Sequence, residues 1–207
     1  KAEVRVRLEL PAAAPIFALL PGSRQSELQY MAATFVATAK LLHERHYPNS
    51  RFLVPLATRE TRLLFEQAIY EGQAADVPFR LLFGHAQDAL GAADVALVAS
   101  GTATLEAALV KRPMVITYKV APASAWIMRR MGYLPYVGLP NILAGRFVVP
   151  EILQEEATPD NLAAALVRLY EDKAGAEALA AVFTDIHLQL RQGTAARAAE
   201  AVLQCLS

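Results

Sequence analysis

Cysteine is nearly absent from this 207-residue chain, and Cys205 stands alone. A single thiol excludes an internal disulfide framework and a cysteine-based zinc site, and it fits a reducing compartment. A charge excess is missing too. Twenty basic residues cancel twenty acidic ones, which removes the broad field that draws a protein to nucleic acid, so no nucleic-acid partner is expected. Apolar residues reach 55%, yet Arg, Glu, Asp or Pro interrupts every long run before the roughly 18 residues that a transmembrane helix needs. The chain is expected to be soluble or, at most, to lie on a membrane surface. Internal repeats and low-complexity tails are absent, as are a Walker phosphate loop, a Gly-x-Ser-x-Gly elbow, a His-Glu-x-x-His zinc helix and a dinucleotide fingerprint. His43 and His46 are spaced three apart but have no third ligand in sight, so no metal site is expected.

The stretch that carries most information runs from Val95 to Glu106. Val95-Ala96-Leu97-Val98-Ala99 reads as a strand buried on both faces, broken at Ser100-Gly101-Thr102 and followed by the helical start Ala103-Thr104-Leu105-Glu106. A buried strand that turns into a helix through small residues presents unpaired amides and the positive end of the helix dipole to an anion. Glu106 adds a carboxylate about one turn inside the helix, placed to accept sugar hydroxyls.

The rest of the chain alternates in the same way. Ile16–Leu20, Phe52–Val54 ending at Pro55, Phe79–Phe83 and Met114–Tyr118 read as further short strands. Between them, Leu28, Met31, Phe35, Val36, Ala39 and Leu42 mark one helical stripe, and Thr58–Tyr70 a polar helix with Leu63, Leu64 and Ile69 inward. A shorter helix is expected around Asp88–Ala92. Alternating strands and helices predict an α/β fold, a parallel sheet with helices on both faces, whose ligands bind beyond the carboxyl ends of the strands. After it come an expected helix at Ala123–Met131, a loop dense in Pro, Gly and aromatics, a helix from Pro159 with Leu162, Ala165, Leu166 and Leu169 inward, and two closing helices separated at Gly193. Trp126, Met128, Met131, Tyr133 and Tyr136, with Arg129 and Arg130, fit a membrane-facing patch or core packing equally well.

A second turn shares the chemistry of the first. Pro21-Gly22-Ser23-Arg24 follows a buried strand, Gly22 permits close backbone approach, and Arg24 is a planar cation suited to phosphate. A cation beside a helix start is disfavoured by the dipole unless an anion joins it. Ser23 or a neighbour is expected to cap that helix. If both strands sit near the sheet centre, the two turns face one crevice. His85, after Gly84, is a candidate ligand contact but not a catalyst. By themselves these residues reach only to an α/β domain that binds an anionic, nucleotide-containing ligand.

Four segments together resemble the lipid-A-disaccharide synthases, glycosyltransferases of the two-domain GT-B type. They are Leu19–Arg24, Ala99–Glu106, Pro113–Val115 with Tyr118, and Leu139-Pro140-Asn141-Ile142-Leu143-Ala144-Gly145-Arg146 followed by Pro150-Glu151 and Leu153-Gln154-Glu155. The last is the most specific. The resemblance implies the C-terminal, donor-binding half of an enzyme that moves 2,3-diacylglucosamine from its UDP conjugate to 2,3-diacylglucosamine 1-phosphate. It implies Gly22, Ser23, Ser100, Gly101, Thr102 and Ala103 near the phosphates, Arg24 on them, Glu106 on the ribose and Asn141 near the reacting sugar, with Arg24 and Asn141 taken as catalytic. The general base is expected in an N-terminal half outside this chain, and no cofactor is expected. Residues 1–15 are expected to be an inter-domain linker or the end of a truncated N-terminal half, 16–192 the UDP-sugar domain and 193–207 a helix that packs on the missing half or on a partner, as by exchange in a homodimer. The implied setting is the cytoplasmic face of the inner membrane. A non-catalytic nucleotide-sugar-binding subunit and a UDP-N-acetylglucosamine 2-epimerase-like enzyme stand as alternatives.

Overall fold

Short apolar runs separated by amphipathic ones build a six-stranded sheet. The computed structural model describes residues 1–119 and 135–206. Strands β1 (Ile16–Leu20), β2 (Arg51–Leu56), β3 (Phe79–Phe83), β4 (Val95–Ala99), β5 (Met114–Tyr118) and β6 (Glu151–Leu153) lie in the order β3-β2-β1-β4-β5-β6, and every adjacent pair is parallel. The helices are α1 (Ala2–Arg7), α2 (Gln25–Leu41), α3 (Arg59–Glu71), α4 (Ala86–Ala92), α5 (Thr102–Leu109), α6 (Leu139–Ala144), α7 (Pro159–Glu171), α8 (Lys173–Leu190) and α9 (Thr194–Leu206). The helix expected at Ala123–Met131, and the Trp126 to Tyr133 part of the aromatic patch, lie outside the described residues. Among the described residues no helix is long and apolar enough to cross a membrane.

Continuous apolar strands follow from burial on both faces. On β1, Phe17 and Leu19 point into one core with Phe52 of β2 and with Phe35, Phe65 and Leu166, supplied by α2, α3 and α7. Ile16, Ala18 and Leu20 point into the other, with Ala107 and Ala108 of α5 and Phe183 and Ile186 of α8. The α2 stripe from Leu28 to Leu42 is buried as its spacing predicts. It runs through a π-helical turn, Leu42–His46, before Pro48.

Two local expectations shift. Pro55 lies inside β2, not at its end. Pairing with β1 stops at Leu53 while pairing with β3 continues to Leu56, so the proline sits where one neighbour has already diverged. On α3 the buried face is Thr61, Phe65 and Ala68, with Leu64 and Ile69 beside it, whereas Leu63 is 56% exposed. Phe65 sets the inward direction, and Leu63, two positions away, falls about 200° round the helix from it.

The Lys1–Pro15 stretch is docked to the base of the sheet. Arg5, 7% exposed, donates from Nε to the Ala92 carbonyl at 2.9 Å and from a terminal nitrogen to Asp94 Oδ2 at 2.8 Å. Asp94 also accepts the Ile16 N–H at 2.8 Å and the Lys1 ammonium. Burial pushes the Asp94 carboxyl up, but these hydrogen bonds and the Lys1 and Arg5 charges outweigh it and hold the group below its ordinary value.

A carboxyl depressed on folding stabilises above its unfolded value, near ~3.9, and loses that contribution as pH falls through the folded value. Asp94→Asn should therefore cost about 1–3 kcal/mol at pH 7. In urea unfolding the gap from wild type should narrow below about pH 4.

Candidate functional site

The reversal of strand order falls between β1 and β4, the two central strands. Phe17, Ala18, Leu19 and Leu20 pair with Val95, Ala96, Leu97 and Val98 in register. Both strands therefore end at one height, and the Pro21–Arg24 and Ser100–Thr102 turns leave them side by side. The helices that follow go to opposite faces, since α2 packs in one core and α5 in the other. A cleft of about 420 Å³ opens between them, lined by Gly22, Ser23, Arg24, Ser100, Gly101, Thr102, Ala103 and Glu106 among others. Pro55 and Leu56 at the end of β2, Ala57 just beyond it, Gly84, Ala86 and Tyr118 at the end of β5 line it as well.

Both turns depend on glycine. Gly22 has φ +125° and Gly101 φ +151°, regions that side chains rarely adopt. Gly22 is also crowded, because a Cβ there would stand 2.5 Å from Glu27 Oε2. The N-cap of α2 is Arg24, and the residue that satisfies this end of the helix is Glu27, three positions on. Glu27 Oε2 accepts the Ser23 N–H at 2.8 Å and the Arg24 N–H at 3.2 Å. Of the expected Ser23 or a neighbour, the N-cap is thus the neighbour Arg24, with Glu27 supplying the carboxylate that bonds the two amides. The Arg24 side chain is 80% exposed, with one guanidinium nitrogen 3.8 Å from Glu27 Oε1, and Arg24 lines the cleft.

At the second turn the amides are arranged differently. Gly101 is the N-cap of α5, and its carbonyl accepts the Thr104 N–H at 3.1 Å and the Thr104 hydroxyl at 2.7 Å. Thr102 and Ala103 are the first helical residues, so their N–H groups have no carbonyl one turn behind them within the helix. Ser100 is held from two sides: its N–H donates to the Thr117 carbonyl at 2.9 Å and its hydroxyl to the Val137 carbonyl at 3.1 Å. Glu106 lines the cleft and also a neighbouring recess with His85 and Asp88.

His85 has an acidic partner that its sequence context does not reveal. It sits at φ 56°, before α4, with Nδ1 3.1 Å from Asp88 Oδ2, and Arg7 also pairs with Asp88. Gly84 and Ala86 on either side of it line the main cleft, whereas His85 lines the adjoining recess. Asn141 is placed differently from the others. It is fully buried, it is not among the cleft-lining residues, and its amide bonds Val148, Val149 and Glu151. Tyr136 packs edge-on against Phe147, with ring centres 4.8 Å apart. Among the described residues no group of three His, Cys, Asp or Glu side chains could hold a metal ion.

Sequence reasoning singled out Arg24, Glu106 and the Ser100–Ala103 turn, and the fold brings them to one cleft. It missed Glu27. The signal was present, because a glutamate three residues after an N-cap reaches back to cap the amides before it. The arrangement offers the amides of a helix start and an exposed cation to an anion, and a carboxylate to hydroxyl groups.

The family model described as lipid-A-disaccharide synthetase matches residues 1–205. Two curated proteins named lipid-A-disaccharide synthase are close relatives. That of Dechloromonas aromatica is 74% identical over all of this chain and 54% of its own length, and that of Chromobacterium violaceum 57% identical over 97% of this chain and 52% of its own. The chain thus spans about half the length of these relatives. Among solved structures, Anabaena HepE in complex with UDP and glucose aligns with TM-score 0.63 at 17% identity, covering 97% of this chain and 51% of that one. E. coli ADP-heptose lps heptosyltransferase II aligns with TM-score 0.58 at 14% identity over 84% and 51%. A putative UDP-N-acetylglucosamine 2-epimerase from Listeria monocytogenes aligns with TM-score 0.57 at 12% identity over 86% and 41%. The likeness is one of fold, a Rossmann-like half of the GT-B kind.

The two glycines separate two costs. Gly101→Ala, with nothing within 4 Å of the added carbon, should cost about 1 kcal/mol from backbone strain alone. Gly22→Ala adds a collision with Glu27 and should cost about 1–3 kcal/mol more. Urea unfolding of the two variants measures the difference, and equal losses would mean that Glu27 moves aside freely.

Proposed function

The chain belongs to the lipid-A-disaccharide synthetase family, and from that premise we propose that it forms the donor-nucleotide half of an inverting glycosyltransferase. The reaction moves 2,3-diacylglucosamine from its UDP conjugate to 2,3-diacylglucosamine 1-phosphate and releases UDP. The observation that carries this reading is the convergence of Arg24, the Ser100–Ala103 turn and Glu106 on one cleft at the sheet's reversal point.

Breaking the sugar–phosphate bond builds positive charge at the anomeric carbon and negative charge on the departing UDP. Fixed donors aimed at that negative charge lower the barrier because they need no reorganisation when it forms. Thr102 and Ala103 present such amides at the positive end of α5, and Arg24 reaches across from the other turn as a bidentate donor. Glu106, one turn further in, accepts the ribose hydroxyls. A base must take the proton of the attacking acceptor hydroxyl. That group belongs to the other half of the full-length enzyme, which also meets the lipid acceptor at the cytoplasmic membrane surface.

Calorimetric titration of UDP tests the site. Arg24→Ala should weaken binding by about 1.5–3 kcal/mol, the worth of hydrogen bonds to a charged group. Glu106→Ala should weaken it by about 1–2 kcal/mol. Identical affinity in wild type and both variants would sink the assignment. The 207-residue chain should show no transferase turnover by itself, and measurable turnover would place the base inside it.

A further inference from the structure

We infer that Glu151 is a positioning residue that sets the geometry of the Ser100–Ala103 turn from outside the cleft. The inference rests on the nucleotide-binding reading above. Glu151 opens β6, opposite Ile116 of β5, and is not among the residues that line the cleft. Its carboxylate accepts three N–H groups. Oε1 takes those of Gly138 at 2.9 Å and Asn141 Nδ2 at 2.8 Å, and Oε2 takes that of Val137 at 2.9 Å. The carbonyl of the same Val137 accepts the Ser100 hydroxyl at 3.1 Å. Ser100 is thus tied on one side to the sheet, through Thr117, and on the other to a strap held by Glu151.

The strap has little room to move. Gly138 lies so close to the sheet that a Cβ there would be 2.2 Å from Ile116 Cδ1. Asn141 fixes the carboxylate from behind, since its Nδ2 also donates to the Val149 carbonyl at 2.9 Å and its Oδ1 accepts the Val148 and Val149 N–H groups at 2.7 and 3.0 Å. A carboxylate suits this place, because each of its three hydrogen-bond partners among the described residues is a donor. A glutamine would turn an NH₂ toward at least one N–H and leave that donor unpaired in a part-buried setting. The Val137 carbonyl would then shift, and with it the amides that follow Ser100.

Amide exchange and UDP calorimetry on the full chain test this together. Glu151→Gln should speed exchange of the ligand-free amides of residues 101–104 and weaken UDP binding about tenfold. Ser100→Ala should weaken UDP binding several-fold in the wild-type background and add nothing in the Glu151→Gln background, because the hydroxyl matters only while Val137 is in place. Asp94→Asn, at the opposite end of β4, is the control, expected to lower Tm without altering exchange at 101–104 or UDP affinity. Unchanged exchange in Glu151→Gln, a Ser100→Ala loss of equal size in both backgrounds, or an Asp94→Asn effect as large as that of Glu151→Gln would each overturn the inference. Failure of the wild type to bind UDP would remove the nucleotide reading instead, and the exchange comparison would still decide the role of Glu151.

Discussion

The ladder between β1 and β4 is the constraint from which the site follows. Four residues of each strand pair one for one, so the register leaves no freedom in where the strands end relative to each other. A slip of one residue would move one turn by about 3.3 Å and exchange the faces of every side chain on the strand. That register is held by burial on both faces: Phe17 and Leu19 lock into the core under α2, while Ile16, Ala18 and Leu20 lock into the one under α5. Asp94 adds a polar stop at the base, where one carboxylate takes the first β1 amide and the Arg5 guanidinium. The cleft at the other end is a consequence, since two helices that leave adjacent strands for opposite faces cannot fill the space between them.

Within the cleft the two turns look alike in sequence but differ in what they offer an anion. At the first, the Ser23 and Arg24 amides are already bonded to Glu27. An anion seated about 4 Å from that carboxylate would meet a repulsion of about 4 kcal/mol at an effective dielectric near 20. At the second, no carboxylate among the described residues is hydrogen-bonded to the Thr102 and Ala103 amides, and the nearest one in the cleft, Glu106, lies a turn further in. On the proposed nucleotide-binding reading, phosphate sits on the α5 side, and the first turn contributes its side chain rather than its backbone. Arg24, mostly exposed and only loosely paired, has the reach to do so, and Glu27 keeps the turn rigid beneath it.

The sequence disclosed the sheet because parallel strands buried on both faces must be continuously apolar, and Ile16–Leu20 and Val95–Ala99 contain nothing else. It disclosed Arg24 and Glu106 because each follows a strand end at a spacing that needs no tertiary information. Other features were hidden for physical reasons. Leu63 is apolar yet exposed on a helix whose direction is set by Phe65, and apolar character alone does not choose between them. Pro55 reads as a strand end unless one knows that β1 has already diverged. The Asp94 and Arg5 pairing joins residues 89 positions apart, and no local pattern announces it.

The most distinctive stretch of the sequence, Leu139–Arg146, also shows that a specific motif need not touch a ligand. Its asparagine spends all of its hydrogen-bonding capacity within the fold, on the Val148 and Val149 amides, the Val149 carbonyl and Glu151. A side chain so fully committed has nothing left to offer a sugar in this arrangement, and moving it would leave several buried polar groups unpaired at about 1–3 kcal/mol each. Only asparagine or glutamine presents both a carbonyl oxygen and a two-proton donor, and the shorter one fits beside a strand that begins at Glu151. The requirement for that residue type can thus arise wholly from the second layer, through Glu151 and Val137 to Ser100. On the proposed reading, the cleft is then as selective about its supports as about its contacts, because a turn that must place amides within a few tenths of an ångström of a departing phosphate tolerates no slack behind it.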